Sequence, residues 1–255
     1  MALAAEILVL RDRVLADLNA VLDYYSHTKI AWGIVRQSVL DGNRFVIKGT
    51  AEPAIGLDRP IGDGSSPVLI ERSTGTETTE AILADKARDY TNIQLPEATF
   101  QQFISIFEAF LGDFLRLWLL AYPQHLSKSS KKVDFGIILE AQDKDAIIQA
   151  MIDKELNEVT YKSPPEWFKY LEEIVRLGVP TTDEIQRFAE AKASRDVLVH
   201  NRGIANRTYE SKAATLARYK AGERIEIPVD YHKATEELVR KMVADISNAA
   251  IPKAS

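Results

Sequence analysis

Apolar residues recur at three- and four-residue spacing near the N-terminus, at Ile7, Leu10, Val14, Leu18, Val21, Leu22 and Tyr25. The pattern predicts an amphipathic helix over roughly residues 4 to 26. It resembles a heptad seam, so the apolar face can serve the subunit's own core or an interface between subunits. Between about 43 and 96 the helical period is lost, glycine and proline become frequent (GLDRPIGDGSSP), and short β-like runs occur in RFVIKG and PVLIER. An irregular, partly β insert is predicted there. GDGSSP lacks the lysine and following helix of a phosphate-binding loop and reads as a surface turn.

From 97 onward the helical pattern is almost unbroken. Phe100, Phe103, Phe107, Phe110, Phe114, Leu117 and Trp118 line one face of a long helix, and Ile104, Ile106, Leu111, Leu115 and Leu119 widen the stripe until nearly all sides are apolar. That is the pattern of a central core helix. Glu108, Asp113 and Arg116 interrupt it before the ~18 apolar residues of a membrane span accumulate. A basic loop, SKSSKK at 127–132, precedes the next helix, DKDAIIQAMIDKELNEV, whose acidic start suits the helix dipole. Two capping boxes follow. SPPE at Ser163 starts a helix that stops at Gly178, and TTDE at Thr181 launches one that can run to about Arg202, with Gly203 as its stop. RIEIPV then predicts a short extended piece before a last helix with Leu238, Met242 and Ile246 on one face. The fold class is mainly α, with an N-terminal helix and irregular insert (1–96) expected to pack on a helical domain (97–255) as one structural domain.

Composition narrows the function classes. With 255 residues, 46% apolar and 27% charged, the chain can bury a large core and is unlike a disordered or fibrous sequence. The absence of cysteine excludes thiolate nucleophiles, disulfides and cysteine-ligated zinc. No basic leader precedes the first apolar run, so a cytoplasmic protein with no membrane partner is expected. The histidines lack metal-ligand spacing, no G-x-S-x-G elbow is present, and no metal or cofactor is expected. Trp118 and Trp167 lie on helical stripes and read as core residues.

A net charge of −5 argues against indiscriminate binding to phosphate backbones. Its distribution changes that picture. Arg187 to Arg224 holds nine basic residues against four acidic ones, a net +5 that leaves −10 for the remainder. An anion would be drawn to this segment.

The same segment contains SRDVLVHNRG, residues 194–203. On a helix Arg195 and His200 are separated by about 7.5 Å of rise and about 140° of rotation, so they meet only where both border a groove, and a two-fold interface would bring a second copy of each there. Asp196 lies four residues before His200, on its face, and can orient the imidazole. A base, an orienter and a fixed cation are the parts needed to cut RNA without a metal: one group removes the ribose 2′-hydroxyl proton and the other stabilises charge at phosphorus. Spacing alone leaves other readings open, with His200 as a helix-end histidine near the last carbonyls and Arg195 as the partner of Glu190 or Asp196.

The run EWFKYLEEIVRLGVPTTDEIQRFAEAKASRDVLVHNRGIANRTY resembles the HEPN superfamily (higher eukaryotes and prokaryotes nucleotide-binding), whose hallmark is arginine, a polar residue, a few mostly apolar residues and histidine on one helix. It is similar in particular to the prokaryotic RiboL-PSP-HEPN type, in which a glycine turn and an Asn-x-x-Tyr-like segment follow, here Asn206 to Tyr209. The resemblance is good over about 160 to 215, extends plausibly from 97 to the end, and is absent before 97. It implies a helical bundle that dimerises through the motif-bearing helix, and a metal-independent endoribonuclease of toxin, antiphage or RNA-processing type. Arg195 and His200 would be catalytic with Asp196 supporting them, and Asn201, Arg202, Glu190, Lys192 and Arg207 would line the RNA cleft. RNA, a second copy, and an antitoxin or nucleotide are the implied partners. HEPN toxins silenced by a partner nucleotidyltransferase tend to carry tyrosine two residues after the histidine; Arg202 stands there, so that regulation is not expected. The competing reading is a non-catalytic HEPN module that binds nucleotide or protein at the same groove. A third is a helical interaction protein with Arg195 and His200 away from any interface.

Overall fold

The structure is a computed structural model that describes residues 2–42, 80–128 and 142–254. In chain order it contains α1 (Ala2–Leu40), α2 (Glu80–Asp89), a π-helical turn (Tyr90–Gln94), α3 (Leu95–Ala121), a 3-10 turn (Pro123–Lys128), α4 (Lys144–Thr160), α5 (Pro164–Val175), α6 (Thr182–His200), α7 (Arg207–Ala213) and α8 (Val229–Ala250). The fold is mainly α. The runs RFVIKG and PVLIER, the GDGSSP turn and most of SKSSKK lie outside the described residues.

The chain divides into two compact units, Met1–His27 with Ile93–Ser255, and Thr28–Asn92. In the first, α3 supplies the axis. Phe100, Phe103, Phe107, Phe110, Phe114 and Trp118 are all buried, as their spacing requires of a core helix. Phe107 meets Phe188 of α6 with ring centroids 4.5 Å apart, and α3 also packs on α4 and α8. From the N-terminus, Leu3, Ile7, Leu10, Val14, Leu18 and Val21 join the same core, so the seam packs within its own subunit. Tyr25 stacks on His232 of α8, whose Nε2 lies 2.7 Å from the Thr99 hydroxyl. That hydroxyl donates to the Leu95 carbonyl, so it accepts from the imidazole N–H.

In the second unit the helical period of α1 continues to Leu40, and Trp32 meets Tyr90 edge-on at 4.9 Å. Residues 80–94, expected to be irregular, are helical. The glycine and proline signals that suggested a loop stop before them, and EAILADKARD combines good helix formers with Leu83 and Ala87 four residues apart on a buried face. The π turn lies just before Pro96, whose ring obstructs the carbonyl four residues back and widens the helical turn.

Local signals set the position of α6. Glu184 returns the capping bond to the Thr181 N–H at 2.8 Å, so the helix begins where TTDE placed it. It ends at His200, because Arg202 and Gly203 take positive φ values of 53° and 77° and turn the chain back. Ile204 then forms an isolated antiparallel bridge to Arg224, and the extended RIEIPV buries Ile225 and Ile227.

Candidate active site on the arginine-histidine helix

Two sides of α6 hold two separate polar clusters. Glu190 and Ser194 face the interior. The Glu190 carboxylate accepts hydrogen bonds from Ser194 (2.8 Å), Tyr209 (2.9 Å), Tyr231 (2.6 Å) and the Arg218 Nε (3.1 Å). Arg218 lies 3.4 Å from the centre of the Tyr231 ring, and its backbone N–H donates to the Tyr209 hydroxyl. Burial, then the Glu190 charge, pushes the phenols of Tyr209 and Tyr231 above the ordinary range. Glu190 is only 4% exposed, so it is an internal anchor and not the cleft residue the sequence suggested. The Asn-x-x-Tyr segment serves the same network, since Asn206 caps α7 by accepting from the Tyr209 N–H and thereby holds the phenol in place.

On the other side Lys192, Arg195 and Asp196 are half-buried against α3. Arg195 donates to Asp196 Oδ1 (3.2 Å) and to the Ser105 hydroxyl (3.2 Å), and pairs with Glu108 Oε2 (3.3 Å). Lys192 bridges Glu108 (3.1 Å) and Asp196 (3.2 Å), and Lys212 reaches Asp196 Oδ2 at 3.3 Å. Burial opposes ionisation of Asp196, but the charge and hydrogen bond of Lys192, then those of Lys212, outweigh it and hold the carboxyl below the ordinary range. The terminal nitrogens of the guanidinium thus have three partners, while its buried Nε has none among the described residues.

His200 is exposed on the last turn, and among the described residues no hydrogen bond or ion pair engages its ring. Asp196 therefore does not orient it as expected; the lysines and Arg195 occupy that carboxylate. Asn201 donates its side-chain N–H to the Ile204 carbonyl and closes the helix end. Arg202 is exposed and its carbonyl accepts from Arg224, while Arg207 is exposed at the start of α7. Val199 and Ile204, which flank the helix end, are 48% and 38% exposed.

Sequence reasoning treated Glu108 as an interruption of an apolar helix and passed over Ser105. A charge inside an otherwise apolar stripe was the available signal, because such a group needs a partner. Tyr231 was missed as well, and Arg218, counted among the basic residues that would draw an anion, instead pairs with Glu190; both reach it only through tertiary packing, whereas Ser194 lies one turn along the same helix. Comparison with known proteins finds no family model, no curated protein and no solved structure that matches this chain.

Proposed function

We propose that the protein is a metal-independent endoribonuclease of HEPN type that works as a homodimer. The observation that carries this reading is that the Arg195 guanidinium, engaged by Asp196, Ser105 and Glu108, shares a helix with an exposed imidazole that has no partner among the described residues. His200 removes the 2′-hydroxyl proton, the 2′-oxygen attacks the adjacent phosphorus, and the 5′-oxygen leaves after gaining a proton, giving a 2′,3′-cyclic phosphate and a 5′-hydroxyl. Arg195 opposes the charge that develops on the phosphoryl oxygens. Exposed Val199 and Ile204 supply an apolar rim on which a second copy can bring the two motifs together.

The alternative, a non-catalytic module binding nucleotide or protein, is favoured by the engagement of Arg195 with Glu108, Asp196 and Ser105. Incubating a mixed RNA pool with purified protein in EDTA, beside His200→Ala and Arg195→Ala, separates the two. Cyclic-phosphate ends from wild type alone support the enzyme. Equal inertness of all three proteins across RNA classes supports the binding module.

A further inference from the structure

Helices α3, α4 and α5 border a cleft of about 320 Å³ next to the Arg195 cluster, lined among others by Glu108, Gly112, Leu115, Leu156, Val159 and Trp167. Three features mark it as more than a packing defect. Trp167 is 3% exposed, yet its indole Nε1 has no hydrogen-bond partner among the described residues, whereas a buried N–H is ordinarily paired. Gly112 sits in the middle of α3, where helix propensity disfavours glycine, and a Cβ there would meet nothing within 4 Å. No neighbour requires the missing side chain; its absence leaves the cleft open. Glu108, at the polar side, is held by Lys192 and Arg195 and keeps lone pairs able to accept further hydrogen bonds. Lys192 also lies 5.6 Å from the centre of the Trp167 ring, which ties the cleft to the cationic cluster.

We propose that this cleft recognises one unpaired nucleobase, whether carried on an RNA strand or as a free nucleoside. The ring faces lie against Leu115, Leu156 and Val159, an amino or imino N–H of the base donates to Glu108, and a ring acceptor takes the Trp167 N–H once a small shift of the indole opens that buried atom to the cleft. A planar heteroaromatic ring with a donor and an acceptor on its edge matches this apolar wall and its two polar groups. The strand-borne form rests on the ribonuclease reading; the pocket itself does not.

The test follows the indole N–H resonances of the full chain by NMR, with the Trp167 signal assigned by Trp167→Phe among the three tryptophans. The protein carries His200→Ala so that no cleavage is involved. Guanosine, adenosine, cytidine, uridine and a short single-stranded oligoribonucleotide are titrated separately. The Trp167 resonance is expected to shift with at least one base, and Gly112→Leu, which fills the open space, to weaken that binding by roughly tenfold or more. Gly112→Ala should give a smaller loss and keeps the comparison available if leucine disturbs folding. Shifts with nucleoside and strand alike support the pocket for both sources, and a shift with one alone identifies its source. A Trp167 signal unmoved by every nucleoside and by the oligonucleotide, or binding equal in the folded glycine variants, overturns the proposal. Because binding is read without cleavage, an inert enzyme and an empty pocket are separate results.

Discussion

Glu190 and His200 lie ten residues apart on α6, and the fold treats them in opposite ways. Glu190 is enclosed by Ser194, Tyr209, Arg218 and Tyr231, whereas the His200 ring stands exposed with no partner among the described residues. A buried charge survives only if its surroundings satisfy it, so the first cluster is explained by folding alone. An exposed imidazole contributes little to folding and retains a free lone pair and a transferable proton. Of the titratable side chains on this helix, His200 alone has no hydrogen bond or ion pair among the described residues, so its ring is not committed to holding the fold.

The largest test of that contrast is Glu190→Ala. It strands the Arg218 guanidinium and the Tyr231 and Tyr209 hydroxyls in the interior, so a loss of about 3–5 kcal/mol is expected in urea unfolding. A loss below about 1 kcal/mol would show that these groups find water or other partners and that the cluster does not anchor the bundle.

Tyr231→Phe removes one hydrogen bond to the same carboxylate and should cost about 1–3 kcal/mol. Its effect should be less than additive with Glu190→Ala, since both remove the same bond. The wild-type protein should also carry an alkaline signature. A phenol whose folded pKa is raised contributes stability that is fully present below its unfolded value of about 10 and is lost as pH rises toward the folded value. Tyrosinate absorbance should therefore show Tyr209 and Tyr231 ionising together with unfolding, after the exposed tyrosines. Ionisation of all tyrosines at ordinary pH values in the folded protein would remove the network's contribution.

What the sequence made legible follows from the range over which each signal acts. The Thr181 cap, the α3 stripe and the N-terminal seam are set by residues within four positions of one another, and all three appear in the fold. The Glu190 cluster joins residues 19, 28 and 41 positions downstream, beyond the reach of any periodicity. Arg195 was identified from the motif, but Ser105, 90 positions away, was not. Asp196 was assigned to His200 because both share a helical face; Lys192 shares that face as well, and its charge wins the carboxylate.

That competition predicts a smaller effect in acid. The carboxyl of Asp196 is depressed, so its contribution is present above the unfolded value near 3.8 and is lost as pH falls through the lower folded value. Asp196→Asn should cost on the order of 1 kcal/mol at neutral pH and leave a shallower decline of stability in acid than wild type. Parallel acid curves for the two proteins would mean that Lys192 and Lys212 do not hold this carboxylate in solution.

The smallest effect on stability belongs to His200→Ala, which removes a ring that no described residue engages and should change unfolding by no more than about 0.5 kcal/mol. Under the ribonuclease reading the same substitution lowers cleavage by about 10²–10⁴-fold, because general acid–base work is lost while the folded scaffold and Arg195 remain. The two measurements must be made on one preparation. A large activity loss with unchanged stability separates chemistry from folding at this position, as Glu190→Ala does in the opposite direction. If His200→Ala instead destabilises the protein by about 2 kcal/mol or more, the ring has a structural partner in solution, a second copy of the chain among them, and dilution should then lower the unfolding temperature of wild type more than that of the variant.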